Sequence, residues 1–536
     1  MKHQIYVASM LSAALFLAAC EGDDGTNGTN GSNGADGADG FNSLIAFRDI
    51  PKGDPVCLGG GKAADSGLDT NRNDVLDASE VTLTEIIECE ATPTVRALHA
   101  SPNAPAVNII VNGAAALTDV PYGAGSGFVP VIESNNIQVE AITPDGANPI
   151  VIDADVDLDY NTEASILALG QVGTNAGVFA LPIVNPSDEL ITQGFFRAQV
   201  VHGSPSAPPV NVYVTGATDD LASSAPVNGV GTPLAFTDFT AQLEVPEGDY
   251  RIRIVADGDA TLTPVFDSGD TPISLAAGTD LMIVAIENTG PGASPVDLVV
   301  LDGTAASTIE DASTPASAVA VHLSPDAPAV DILADDNATA NDDAIPLVRN
   351  VAFGEFCDLN AIPAPGDYTI SVVANADNSI VATQFPLAVE PSTEATAIVS
   401  GFLGAGLTPA ITALPQIADR RSIATETKLT VTHGSPSTGP VDIYLVPAGT
   451  DINNVDPAFS DVPFGADTAQ LSVANAMYDA IVTGTGSKTP AIELLGLDFT
   501  AGGAVLNVIA RDLVAGGLDP APLIIDYTAV PACPTP

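Results

Sequence analysis

The sequence predicts an all-β protein: four tandem immunoglobulin-like antiparallel β-sandwiches, preceded by a small disulfide/calcium module and a disordered N-terminal tether. Three observations carry that expectation. One motif, His-x-Ser-Pro followed by Val-[Asn/Asp]-[Ile/Val], recurs as HASPNAPAVNI from His99, HGSPSAPPVNV from His202, HLSPDAPAVDI from His322 and HGSPSTGPVDI from His433. Successive copies lie 103, 120 and 111 residues apart, so each unit is domain-sized rather than a solenoid rung. Between copies run short alternating apolar segments broken by turn residues, in the last unit KLTVTH, VDIYLV, AQLSVA, YDAIVTG, AIELLGLDF, AVLNVIA and PLIIDYT. Seven short strands at that spacing, with no long helical periodicity, are the pattern of a sandwich.

Taken in order, residues 1–19 read as a signal peptide: Lys2 supplies the positive charge, and the apolar run Ile5 to Ala19 is too short to span a bilayer. It ends in Leu17-Ala18-Ala19-Cys20, which resembles the lipobox of bacterial lipoproteins. That resemblance implies cleavage before Cys20 and lipidation of its thiol, hence a membrane anchor of several acyl chains. Glu21, where an Asp resembles an inner-membrane retention signal, favours an outer-membrane lipoprotein, surface-exposed or periplasm-facing.

The tether occupies 20–40. From Gly22 to Gly40 glycine recurs every third residue, a collagen-like repeat with no proline. Two readings stay open, a solvated spacer and, if three chains cluster, a triple helix.

Residues 41–93 form the small module, with Cys57 and Cys89 as its expected disulfide. Closing that loop contributes about 3–4 kcal/mol by chain entropy, which a stretch too short for a sufficient core of its own needs. Between the cysteines, Asp69, Asn71, Asn73, Val75, Asp77 and Glu80 follow the spacing of an EF-hand loop, and calcium is the expected cofactor. Alternate residues of a tight loop turn their oxygens towards one hard cation, Val75 through its carbonyl, and Glu80 closes the sphere. Position six is Asp74 where an EF-hand has Gly, and GGGKAADSG cannot be an entering helix. A metal-free Asx-rich loop is the rival reading. The glycine triplets with this loop resemble an uncharacterised module of bacterial envelope lipoproteins, which has no assigned activity.

The sandwiches are expected at 94–188, 195–306, 316–416 and 426–531, joined by short polar linkers as beads in a rod. Secondary marks recur: a turn with Tyr122, Phe353 or Phe464 before Gly, and a later strand opening at Tyr250, Tyr368 or Tyr478. The array resembles a family of uncharacterised domains of bacterial envelope and extracellular proteins that share the H-x-S-P start and V-D-[IV] strand. The resemblance implies a sandwich fold and extracellular placement, and no catalytic residue.

The pairs His99/Ser101, His202/Ser204, His322/Ser324 and His433/Ser435 invite a hydrolase reading. Against it, each Ser precedes Pro, which holds it extended rather than on an exposed elbow, and no G-x-S-x-G occurs. The expectation is structural, with the histidine bonding across the turn where the chain reverses, and no enzymatic activity. Zinc-peptidase, thiol-redox and phosphate-loop motifs are absent. Asp153, Asp155, Asp157 and Asp159 alternate onto one strand face, either as a solvated edge that blocks strand addition or as a cation ladder. Asp335-Asp336 and Asp342-Asp343 leave the same choice open. Cys357 and Cys533 lie in different units, either paired or free.

A formal net charge of −52 turns away nucleic acid and anionic lipid headgroups. With 46% hydrophobic residues the chain is not disordered by composition. The expected role is multivalent binding or adhesion at the envelope surface, to a glycan, polymer or envelope protein. The alternatives are a purely structural stalk or surface-layer component, and an accessory or weakly hydrolytic domain.

Overall fold

The computed structural model describes residues 40–335, 344–359, 366–375, 377–417, 419–514 and 516–533. The signal peptide, Cys20, the triplets before Gly40 and the acidic residues Asp336, Asp342 and Asp343 lie outside them. The chain is all-β and divides into two compact units, one holding the strands of the small module, the other Pro51–Gly60 with everything from Cys89 onward.

In the module, Gly61–Asp69 is the central strand of a three-stranded sheet, between Asn42–Ile50 and Val81–Cys89. All but the first two residues of GGGKAADSG therefore lie within that strand, which leads straight into the acidic loop. In the larger unit Cys57 is bonded to Cys89.

Each sandwich packs an inner and an outer sheet. In the first, Val178–Pro186, Thr162–Gly170, Thr94–His99 and Val129–Pro130 form the inner sheet, in that order. The outer sheet runs Ala114–Val120, Val107–Val111, Ser134–Ala141, Ile150–Asp157. One pair per sandwich departs from the antiparallel pattern: the strand ending in the motif histidine runs parallel to the strand before the last hairpin. The four pairs are Thr94–His99 with Thr162–Gly170, Phe195–His202 with Asp280–Glu287, Ser317–His322 with Glu394–Ser400, and Glu426–His433 with Val505–Ala510.

Burial separates the two kinds of sheet. The outer strand Ser134–Ala141 alternates exposed or half-buried with buried residues, as a strand with one solvated face does. All eight residues of Glu426–His433 are buried, so that strand is covered on both faces. The second cover is the inner sheet of a neighbouring sandwich. Leu98, Leu167 and Ile183 of the first pack with Val201, Met282 and Leu301 of the second in one core. Val319, Val321 and Ile398 of the third pack with Ile509 and Ile525 of the fourth. The sandwiches are not independent beads, because the apolar face of one inner sheet is closed only by the next.

Two further ties cross between sandwiches. The Arg421 guanidinium, in the last linker, donates to the carbonyls of Pro102 (3.0 Å) and Ala104 (2.8 Å) and lies 5.3 Å from the Tyr122 ring centroid. Cys357, on the edge strand Phe356–Asp358, is bonded to Cys533 beyond the last strand. The Asp358 N–H donates to Pro531 O and the Cys533 N–H to Asp358 O, both at 2.8 Å, so the C-terminal tail extends the third sandwich's inner sheet.

Candidate functional site

The four motif histidines end their strands with side chains 0–1% exposed. Each ring reaches the carbonyl six residues ahead with Nε2: His99 to Pro105 (2.9 Å), His202 to Pro208 (3.1 Å), His322 to Pro328 (3.0 Å) and His433 to Gly439 (3.0 Å). A carbonyl only accepts, so Nε2 carries the proton and Nδ1 is left as acceptor. The Ser101 N–H donates to His99 Nδ1 at 3.5 Å and the Ser324 N–H to His322 Nδ1 at 3.4 Å. Nδ1 of His202 and of His433 is buried and has no partner among the described residues.

An aromatic ring meets the histidine edge-on in three copies: Tyr122 at 6.1 Å from His99, Phe353 at 6.3 Å from His322 and Phe464 at 6.3 Å from His433. The next residue folds back, its N–H donating to the histidine's own carbonyl: Gly123, Gly354 and Gly465, at φ of 79°, 82° and 83°. In the second sandwich the turn reads Ala235-Phe236-Thr237, and the Thr237 N–H makes the same bond at φ 77°. A β-branched residue there is strained, at a cost of about 1–3 kcal/mol. Thr237→Gly is therefore expected to stabilise the second sandwich by about 1 kcal/mol, read as a higher urea midpoint with unchanged slope. A lower midpoint would refute the strain.

The serines do other work. All four are fully buried. The Ser101 hydroxyl donates to Gly170 O (2.8 Å), that of Ser324 to Asp326 (3.3 Å) and that of Ser435 to Asp512, while Ser204 Oγ accepts from the Ala207 N–H (3.3 Å). In none of the four copies does a hydroxyl bond the histidine ring, so the structure brings no nucleophile–base pair together at the corner.

Burial pushes all four imidazoles down, His99 to about 4. Each is neutral when folded at pH 7 and protonates near 6.5 when unfolded. The unfolded chain thus binds more protons below 6.5, and stability falls as pH drops from about 6.5 towards 4. His99→Gln, which keeps a donor near the Pro105 carbonyl, is expected to remove its share of that slope in denaturation curves at pH 7, 6 and 5. An unchanged slope would rule His99 out as a contributor.

The Asn or Asp of the motif has a role that sequence reasoning missed. Each outer sheet of the first, third and fourth sandwiches shifts register beside it, between Val107 and Ile109, Val330 and Ile332, and Val441 and Ile443. The facing strand supplies a residue in left-handed backbone: Asp119 (φ 54°), Asn350 (60°) and Asp461 (56°). Its N–H donates to the motif side chain, Asn108 at 3.1 Å, Asp331 at 2.8 Å and Asp442 at 2.9 Å. The side chain thus pins a β-bulge. The available signal was the Asp-Val or Asn-Val before each Pro-Tyr-Gly, Ala-Phe-Gly or Pro-Phe-Gly turn.

In the acidic loop, Asp69 and Glu80 are buried. Asp69 accepts the N–H groups of Asn73 (3.0 Å) and Asp74 (2.8 Å). Glu80 accepts those of Thr70 (2.7 Å), Asn71 (3.0 Å) and Asp77 (3.2 Å), with the Thr70 hydroxyl at 2.7 Å; these bonds, the hydroxyl's first, hold its carboxyl below the usual range. Asp74 takes φ 58°, the left-handed turn expected of a glycine, in a residue type that tolerates it. The Asn71 and Asn73 amides both donate to Asp77 Oδ2, at 2.6 and 3.0 Å. The donors are hard oxygens in EF-hand order, held by one another. Among the described residues no three His, Cys, Asp or Glu side chains converge on one metal position.

Asp153, Asp155 and Asp157 of the aspartate ladder lie on Ile150–Asp157, the outermost strand of its sheet, whereas Asp159 falls beyond the strand's end. Asn136 donates to Asp153 (2.8 Å) and Asp155 (3.1 Å), and Ser134 to Asp157 (2.7 Å). That placement favours the edge reading.

Fold and corner together define a modular protein of tandem β-sandwiches opened by one repeated histidine corner. The chain belongs to the family described as "Domain of unknown function (DUF4397)", matched over residues 93–213, 196–333 and 316–444. Residues 42–87 match a second "Domain of unknown function (DUF7151)". Each of the three larger matches runs past its own sandwich into the opening strands of the next. No curated protein matches the chain. Among solved structures, the Bacillus anthracis TIE protein is similar at 9% identity over 87% of this chain and 74% of that one, with a TM-score of 0.14. A product complex of SpuA, described as a multi-modular glycogen-degrading pneumococcal virulence factor, is similar at 14% identity over 74% and 37% of the two chains, with a TM-score of 0.12. At these scores neither carries an argument about this chain.

Proposed function

We propose that the chain is a lipid-anchored surface protein of a bacterial cell envelope, acting as a multivalent binding or adhesion module without chemistry of its own. The observation that carries this reading is the histidine corner: its rings and hydroxyls are buried and engaged in holding the fold, so a partner meets only the loops and outer sheets. Four such surfaces on one chain add weak contacts through effective concentration. Two disulfides fit an oxidising compartment, and the lipobox-like end at Cys20 fits an anchor. The test is twofold. Palmitate labelling of cells should be lost with Cys20→Ser, and a screen of the mature chain against glycans, polymers and envelope proteins should return a specific ligand.

A clean negative in that screen favours the second reading, a structural stalk or surface-layer component. The shared cores and the Cys357–Cys533 bond support it, because they stiffen the joints between sandwiches.

Calcium belongs to the same proposal. Asp69, Asn71, Asn73, Asp77 and Glu80, with the Val75 carbonyl, would hold the ion, which supplies positive charge to a loop otherwise closed by its own amides. Titration calorimetry of the mature chain with calcium should show binding that Glu80→Gln weakens at least tenfold, about 1.4 kcal/mol. No heat and no shift in melting would leave the loop metal-free.

A further inference from the structure

The sheet of the small module has one face that none of the described residues of its own unit covers. The Thr84 hydroxyl and Arg48 both reach the Asp65 carboxylate, at 2.6 and 2.8 Å, which places those side chains on one face. Ala63 and Gly67 share that face and are buried. Strand alternation puts Ile45, Phe47, Leu68, Leu83 and Ile87 on the other. The register agrees, with Ile45 opposite Ser66 and Phe47 opposite Ala64. These five are exposed by 67, 77, 46, 60 and 53%. Scattered exposed apolar residues are ordinary; five large ones on one face of a three-stranded sheet mark an interaction surface.

We propose that this face is the contact between copies of the chain, and that three copies meet there. Two observations on the sequence select that occupant. Glycine recurs every third residue from Gly22 to Gly40, and the run ends two residues before the strand Asn42–Ile50 begins. Such a period has a packing reason when three chains share an axis too crowded for any side chain. The run lacks the proline that pre-organises such chains, so it needs a neighbouring contact to bring three copies together. The face that follows supplies one. The face also carries charges of both signs, Lys62 with Asp49 opposite it across the strand pair, and Glu85, all three exposed. The chain as a whole, at −52, repels its own copies, so association depends on an apolar patch of this kind.

Light scattering on residues 21–536, which lack the signal segment and the lipidation site and keep the rest of the chain, tests this at micromolar concentration. The expected mass is three times that of one chain. Phe47→Asp combined with Ile87→Asp, both at exposed positions, should return the mass of one chain. An intact Cys57–Cys89 bond in peptide mapping and an unchanged circular dichroism spectrum would show that the variant still folds. A single-chain or two-chain mass for the unsubstituted protein, or a threefold mass kept by the double variant, overturns the proposal. Flotation with phosphatidylcholine vesicles separates the rival occupant: a single chain that binds vesicles and loses them on Phe47→Asp assigns the face to lipid instead.

Discussion

Replacing both Cys357 and Cys533 by serine is expected to destabilise the third and fourth sandwiches by about 5 kcal/mol. The bond spans a sequence separation of 176, and a closed loop of that length restricts the unfolded chain far more than the 32 between Cys57 and Cys89. Chain entropy gives about 4.7 kcal/mol for 100 residues and grows slowly beyond that. The folded state loses little, because backbone bonds between Asp358 and the tail remain at 2.8 Å. The serine pair is a better probe than a reductant, which would open the first disulfide too. Urea unfolding followed at Tyr368, Tyr444 and Tyr527 reads the two affected sandwiches. A loss below 1 kcal/mol would show that the unfolded chain is not held by this bond.

The second large effect falls on Asp442. Its carboxylate, 4% exposed, accepts the Asp461 N–H at 2.9 Å with one oxygen and the Gly486 N–H at 2.8 Å with the other. Asp442→Ala leaves both amides without an acceptor at the bulge, and each charge-assisted bond contributes about 1.5–3 kcal/mol. A loss of about 3 kcal/mol is expected in the fourth sandwich. Asp442→Asn keeps one acceptor oxygen, as Asn108 does in the first sandwich, and should cost about half as much. Equal losses for the two variants would mean that packing, not hydrogen bonding, decides the site.

How much of this was legible depends on whether one residue type alone performs a task. Four of the chain's five histidines mark the corners, so the domains could be counted and the all-β class read from the strand pattern. The turn of the second sandwich was hidden because Thr237 adopts a backbone for which glycine is the usual signal. The bulge pin was hidden because Asn and Asp in strands have many uses, and only the facing residue's φ discloses this one. The shared cores were half visible. Unbroken apolar runs such as LMIVAI announce a strand covered on both faces, but nothing local says which element provides the second cover. Arg421 looked like linker polarity; its partners lie more than 300 residues away.

The sharing of inner sheets also sets the arithmetic of the array. Where one sandwich closes its neighbour, the smallest piece that can be gained or lost without baring an apolar face is a couple. A truncation after residue 188 would leave Leu98, Leu167 and Ile183 open to water, whereas a cut after residue 315, beyond the strand Ala306–Ile309 and the buried Asp311, leaves a closed pair behind. Lengthening by recombination should therefore proceed in even steps, and fragments for expression should be cut by the same rule.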